Sequence, residues 1–188
     1  MLRCGLTLVE TMVSMALITT VLTAIYSFMS MFLVNSRMLQ AQADLENSAQ
    51  TAVIRMVSDL SDSRSASVTV GTSPTGVFFL SPRDGSDRFQ RDSSGTLYWQ
   101  KWVCYYLDGN RQLVRAQVPF TPTTTPPVSA YTTASFQSLG TRRVVARDLS
   151  TLQVTGTAPV TIMASFTSTV LKTGDLQLTI TDAVSPRN

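Results

Sequence analysis

Residues 6–34 read LTLVETMVSMALITTVLTAIYSFMSMFLV, and their only charged side chain is Glu10. The charge-free run extends from residue 11 to residue 36. At a rise of ~1.5 Å per residue it reaches about 39 Å, more than the roughly 30 Å hydrocarbon core of a bilayer requires. One membrane span is therefore expected at the start of the chain. Arg3 precedes it and few basic residues flank its far side. The positive-inside rule then favours a cytoplasmic N-terminus, with the rest of the chain exported across the membrane.

A secretory signal peptide also combines a basic start with an apolar stretch. Here the apolar stretch is about twice the usual length, and Met29, Met31, Phe32 and Leu33 occupy the region where a small-residue cleavage site belongs. A lipoprotein start places its cysteine after the apolar stretch, whereas Cys4 comes before it. A plain uncleaved anchor remains, and it leaves Glu10 unexplained. A carboxylate in a membrane helix costs ~2.5–3.5 kcal/mol at the centre and less near the interface, so a role or a partner is expected.

The whole chain has 188 residues, 44% hydrophobic, with 15 basic and 12 acidic side chains. A net charge of +3 gives little bulk attraction for nucleic acid. There is no histidine, which removes the commonest general base and metal ligand, and two cysteines cannot close a four-thiolate zinc site. No phosphate loop or glycine-flanked nucleophile is found, so no enzymatic role and no cofactor are expected.

No Gly or Pro occurs between Leu6 and Val70, so the helix is expected to run on past the membrane. Over residues 37–65, Leu45, Ala49, Val53 (with Ala52), Met56 (with Val57) and Leu60 recur every three or four positions, while Asp44, Glu46, Gln50, Arg55 and Asp59 fall elsewhere. That apolar stripe must be covered. Beyond it, β-branched and aromatic runs at 67–71, 77–80, 96–107, 112–118, 142–155, 160–171 and 176–182 alternate with turn residues. Asp108-Gly109-Asn110 predicts a hairpin, with Gly and Asn as candidates for the positive φ of a tight turn. Thr173-Gly174-Asp175 is a second candidate. Without helical patterns between strands, the class is α+β, one long helix on an antiparallel sheet.

Residues 119–138 hold four prolines and read as a long exposed loop. Residues 82–95 carry Arg83, Asp84, Asp87, Arg88, Arg91 and Asp92. Their aspartates lack the acidic 1-3-5 spacing and distal glutamate of a calcium loop, so a solvated loop with local salt bridges is expected and no metal is assigned. Cys104 sits in an apolar strand and reads as a small buried hydrophobe.

The start Arg3-Cys4-Gly5-Leu6-Thr7-Leu8-Val9-Glu10, followed by the charge-free run, resembles the class III signal of type IV pilins and pseudopilins. The resemblance implies cleavage by a prepilin peptidase between Gly5 and Leu6, N-methylation of Leu6, and Glu10 as fifth residue of the mature chain. It implies that Glu10 acts in assembly, pairing with the free α-amine of a neighbouring subunit's Leu6. It also implies the lollipop arrangement: a leader at 1–5, a membrane and filament-core half-helix at 6–36, an amphipathic half at 37–65, and a β-rich head at 66–188. Cys4 would leave with the leader, so Cys104 would have no disulfide partner.

From residue 6 to about 118, the pattern is similar to minor pilins of the PilW type and minor pseudopilins of the GspJ type. The implied partners are the prepilin peptidase, other pilin or pseudopilin subunits and the inner-membrane assembly platform. The expected destination is the inner membrane, then a pilus or pseudopilus in an initiating or tip complex. Arg142, Arg143 and Arg147 leave open a DNA-uptake pilin with a weak nucleic-acid contact, although three such arginines also guard a strand edge. A major pilin and a membrane-anchored binding domain are the other open readings.

Overall fold

A computed structural model describes residues 7–128, 131–171 and 174–186. Helix α1 runs unbroken over Leu8–Ser61. Thr7 opens it: the Glu10 N–H donates to the Thr7 carbonyl at 3.0 Å and to Thr7 Oγ1 at 3.4 Å. The acidic Glu10 thus lies in the first turn, where it complements the helix dipole. Neither Gly nor Pro ends the helix. Its last turn closes through Ser63, whose N–H and hydroxyl both donate to the Leu60 carbonyl, at 3.0 and 2.6 Å.

The chain divides into two compact units, Met1–Ala43 and Asp44–Asn188. In the first unit, every residue from 7 to 37 is exposed. The polar side chains of this stretch are largely satisfied by the helix itself. Thr19, Thr20 and Thr23 donate to the carbonyls of Met15, Ala16 and Thr19 at 2.8–2.9 Å, and Ser30 to that of Ser27 at 2.8 Å. Such back-bonding removes the cost of an unpaired hydroxyl in an apolar medium.

In the second unit, α1 buries Leu45, Ala49, Ala52, Val53, Met56 and Leu60, the stripe its periodicity predicts. The expected single sheet is two. Five antiparallel strands form the larger in the order β1-β2-β3-β4-β5: Thr69–Thr72, Thr75–Ser81, Trp99–Leu107, Leu113–Thr123 and Thr141–Ala146. Three form the smaller in the order β6-β7-β8: Leu149–Thr155, Val160–Leu171 and Gly174–Val184. The run expected at 142–155 is therefore cut into β5 and β6, which belong to different sheets. The cut falls at Arg147-Asp148, where Asp148 takes a φ of 61°. Its carbonyl accepts from the Thr167 N–H at 2.8 Å, and the Leu149 N–H donates to the Arg111 carbonyl at 2.9 Å, tying the corner to both neighbours.

The helix stripe shares one core with Val77, Phe79, Val103, Tyr105 and Leu113 from the larger sheet and with Leu149, Leu152, Ile162 and Phe166 from the smaller. Strand alternation sends Phe78, Leu80, Trp102, Cys104 and Tyr106 to the other face of the larger sheet, where they form a second core.

The segment 119–138 covers that second face and is not simply an exposed loop. Its first part continues β4 to Thr123. Its last part makes a 3-10 turn at Ser135–Gln137 and buries Phe136 completely. The Phe136 ring lies 5.7 Å from that of Phe78 and 5.4 Å from that of Tyr131. An aromatic residue in a Ser/Thr-rich stretch provides the anchor that proline and threonine lack.

The β3–β4 hairpin forms as expected, with Leu107 opposite Leu113. The positive φ falls on Arg111, at 58°, and not on Gly109 or Asn110. Asp108 explains the shift, because its Oδ1 accepts the N–H groups of Asn110 and Gln112 at 3.0 and 2.9 Å and fixes the turn around itself. Strands β7 and β8 pair up to Leu171 opposite Gly174, and Thr173 of the second predicted turn lies outside the described residues.

Candidate functional site

The N-terminal stretch has the features of an interaction element. Leu8, Met12, Met15, Leu22, Phe28 and Phe32 are all at least 60% exposed, on every side of the helix. By length and composition α1 is apolar enough to cross a membrane. Glu10 stands near the start of this surface and meets no cation among the described residues. Gly5 and Leu6, the predicted cleavage and methylation positions, lie outside the described residues.

In the second unit, the helix is held to the larger sheet by a polar anchor that the sequence reading did not single out. Asp59 Oδ2 accepts from the Tyr105 hydroxyl at 2.6 Å and from Arg115 Nε at 2.8 Å. Arg115 Nη1 also donates to Gln117 Oε1 at 3.1 Å. The Asp59 and Arg115 side chains are only 14% and 9% exposed. Burial, reinforced by the Asp59 charge, pushes the Tyr105 hydroxyl far above its ordinary range. Burial alone would disfavour the Arg115 charge, but Asp59 more than offsets it and holds the guanidinium above its usual value. The one signal in the sequence was Arg115 itself, which shares the buried face with Leu113 by alternation.

Two aspartates of the mixed-charge loop are satisfied by donors of the loop itself. Asp84 accepts from the N–H groups of Ser86 and Arg88, at 2.7 and 2.9 Å, and from Gln90 Nε2. Asp92 accepts from the N–H groups of Ser94 and Thr96, at 2.9 and 2.8 Å, and from the Ser94 hydroxyl. The Arg88 N–H bond lowers the Asp84 pKa most, as the Ser94 hydroxyl does for Asp92. The salt bridges expected within the loop are replaced by two that leave it, because its charged side chains lie against neighbouring elements: Arg83 pairs with Asp62, just past α1, at 2.5 Å, and Asp87 with Lys101 on β3 at 3.4 Å. Arg83 also lies over the Phe89 ring, 4.6 Å from its centre.

Arg142 and Arg143 are consecutive on edge strand β5, opposite Ala116 and Arg115 respectively, so they point to opposite faces. Arg142 Nη1 donates to the Gln137 carbonyl at 2.7 Å. Arg147 lies in the β5–β6 corner, exposed. The three arginines flank one edge without converging on one surface. Cys104 is a free, fully buried thiol, and burial pushes its pKa up to about 12.

Residues 1–26 match the family described as the prokaryotic N-terminal methylation motif. No curated protein and no solved structure matches the chain. The motif, together with the long apolar helix, supports a type IV pilin-like protein that is membrane-anchored. The match implies processing by a prepilin peptidase and assembly with other pilins, and it suggests a structural, non-enzymatic subunit.

Proposed function

We propose that the chain is a minor pilin or minor pseudopilin, a non-enzymatic subunit that enters the initiating or tip complex of a type IV pilus or a type II secretion pseudopilus. The observation that carries this reading is the stretch from 7 to 36, largely apolar and exposed on all sides, with Glu10 near its start as its one charged side chain.

In this reading the chain enters the inner membrane with its N-terminus cytoplasmic. A prepilin peptidase cuts between Gly5 and Leu6, where a glycine leaves the backbone unobstructed, and Leu6 is methylated. An assembly platform in the inner membrane then moves the helix from lipid into a bundle of other subunits' helices. Both surroundings are apolar, so little hydrophobic free energy changes in the transfer. Glu10 becomes buried among apolar side chains and needs a cation, which the α-amine of a neighbouring subunit's Leu6 supplies. That pair sets the axial register of the filament.

The deciding experiment is the intact mass of the protein from envelopes of its native host, with and without the peptidase. A chain starting at methylated Leu6 only when the peptidase is present supports the proposal. A full-length chain in both returns the protein to the anchored-domain reading.

A further inference from the structure

An edge strand presents outward N–H and C=O groups that template another strand unless something guards them. Three of the four edge strands of the head are guarded. β1 is only four residues long. β5 carries the exposed Arg142 and Arg143. β6 bears a register shift between Leu149 and Thr151 and packs against β2 and β3 of the larger sheet. β8 is the exception. From Leu176 to Val184 it pairs with β7 without a shift, contains no Lys, Arg or Pro, and carries one charge, Asp182.

Two bonds fix the direction of its backbone groups. The Thr167 N–H donates to the Asp148 carbonyl on the β6 side, so Thr167 exchanges no backbone bonds with Gln177 opposite it. The Ala183 N–H donates to Asp182 Oδ1 at 2.8 Å, so it also turns away from β7. Along an antiparallel pair, bonded and unbonded positions alternate. The register between these two points is unshifted, so Gln177, Thr179 and Thr181 all turn their N–H and C=O groups outward, and no other described backbone group meets them. Their side chains are exposed on the outer face, while Leu176, Leu178 and Ile180 lie against the core and are only half-buried. The core is thus open along the same edge. What satisfies both rows is an extended segment with alternating side chains, the apolar ones continuing the row of Leu176, Leu178 and Ile180.

A second copy of this chain does not meet these terms. Its β8 can pair with this β8 in two ways. Antiparallel pairing needs a two-fold axis normal to the sheet, which reverses α1, packed on that sheet, whereas helices anchored in one membrane from the same side share a direction. Parallel pairing needs an axis along the strands, which turns the sheet over and sets the apolar row of one copy beside the hydroxyl row of the other.

We propose that the free edge of β8 is a docking site for an extended, uncharged segment of a different polypeptide, which joins the smaller sheet as an added strand and lays alternate apolar side chains beside Leu176, Leu178 and Ile180. The proposal goes beyond the assembly reading and uses neither Glu10 nor the processed N-terminus.

The test uses the full chain in detergent micelles, labelled with nitrogen-15, with the backbone amides of residues 176–184 assigned. The probe is a capped heptapeptide of alternating Thr and Val. Its controls are a peptide of the same composition in block order and two forms N-methylated at every Thr or at every Val. The expected result is a saturable shift of the Gln177, Thr179 and Thr181 amides at millimolar peptide, with the block-order control at least about tenfold weaker. The outward groups of β8 meet the Thr amides in an antiparallel addition and the Val amides in a parallel one, so one methylated form should keep binding and the other lose it. Thr179→Pro removes an outward donor and no bond to β7, and should weaken the peptide at least about tenfold while the β7 amide signals stay in place. No saturable shift up to about 10 mM, equal binding of the block-order control, or equal binding of the two methylated forms overturns the proposal. Shifts of the same amides with protein concentration alone would give the edge to a second copy and overturn it as well.

Discussion

Asp59 and Arg115, 56 residues apart in sequence, meet at 2.8 Å where the helix crosses the larger sheet. The Tyr105 hydroxyl completes the contact from the strand next to β4. An ion pair this buried specifies a geometry more than it adds stability, because desolvation offsets much of the attraction.

Removing one partner should therefore cost more than removing both. Asp59→Ala strands the Arg115 charge and the Tyr105 hydroxyl and should destabilise the head by about 3–5 kcal/mol. The double variant Asp59→Leu/Arg115→Met should recover most of that loss. Denaturant unfolding of the two variants checks this, and equal destabilisation would remove the anchor from the account.

Cys104 gives the head an alkaline limit. Its folded pKa, about 12, lies above its ordinary value of 9.0. The unfolded chain therefore releases the thiol proton first as pH rises. The stability contributed by burying the neutral thiol is fully present below pH about 9 and is lost as pH climbs toward about 12. Tyr105, raised for the same reason, adds to the loss above its own ordinary range near pH 10. Cys104→Ala should show a shallower decline over this window. The native thiol should also resist alkylation until the head unfolds.

Phe136 should be the fastening of the segment after β4. Phe136→Ala empties a fully buried site beside Phe78 and should cost about 3–5 kcal/mol. Limited proteolysis should then cut among residues 131–139 faster than in the native chain. Unchanged resistance would show that the segment holds its place by other means.

The assembly reading separates two steps by substitution. Glu10→Gln should leave cleavage intact and impair incorporation into filaments, whereas Gly5→Leu should leave full-length chain in the membrane. Normal incorporation of the first, or mature protein from the second, would contradict the role given to that residue.

The helix stripe was legible because its periodicity is local: Leu45, Ala49, Val53, Met56 and Leu60 declare one face within a few turns. The strands were legible for the same reason, from β-branched runs and turn residues. What escaped depends on distant partners. Nothing near Asp59 distinguishes it from Glu46 or Arg55 on the polar flank, and its role appears only when Tyr105 and Arg115 are folded against it. The division of residues 142–155 between two sheets depends on Thr167 and Arg111 gripping the corner. The N-terminal motif needed no folding to be read, because its meaning lies in order along the chain.

The back-bonded hydroxyls of the first unit have a consequence for movement. Thr19, Thr20, Thr23 and Ser30 each spend their proton on the turn before them. None of these groups asks anything of its surroundings, so the helix can trade one set of neighbours for another without a hydrogen bond of theirs being broken or remade. To those four side chains, lipid tails and other helices are interchangeable hosts.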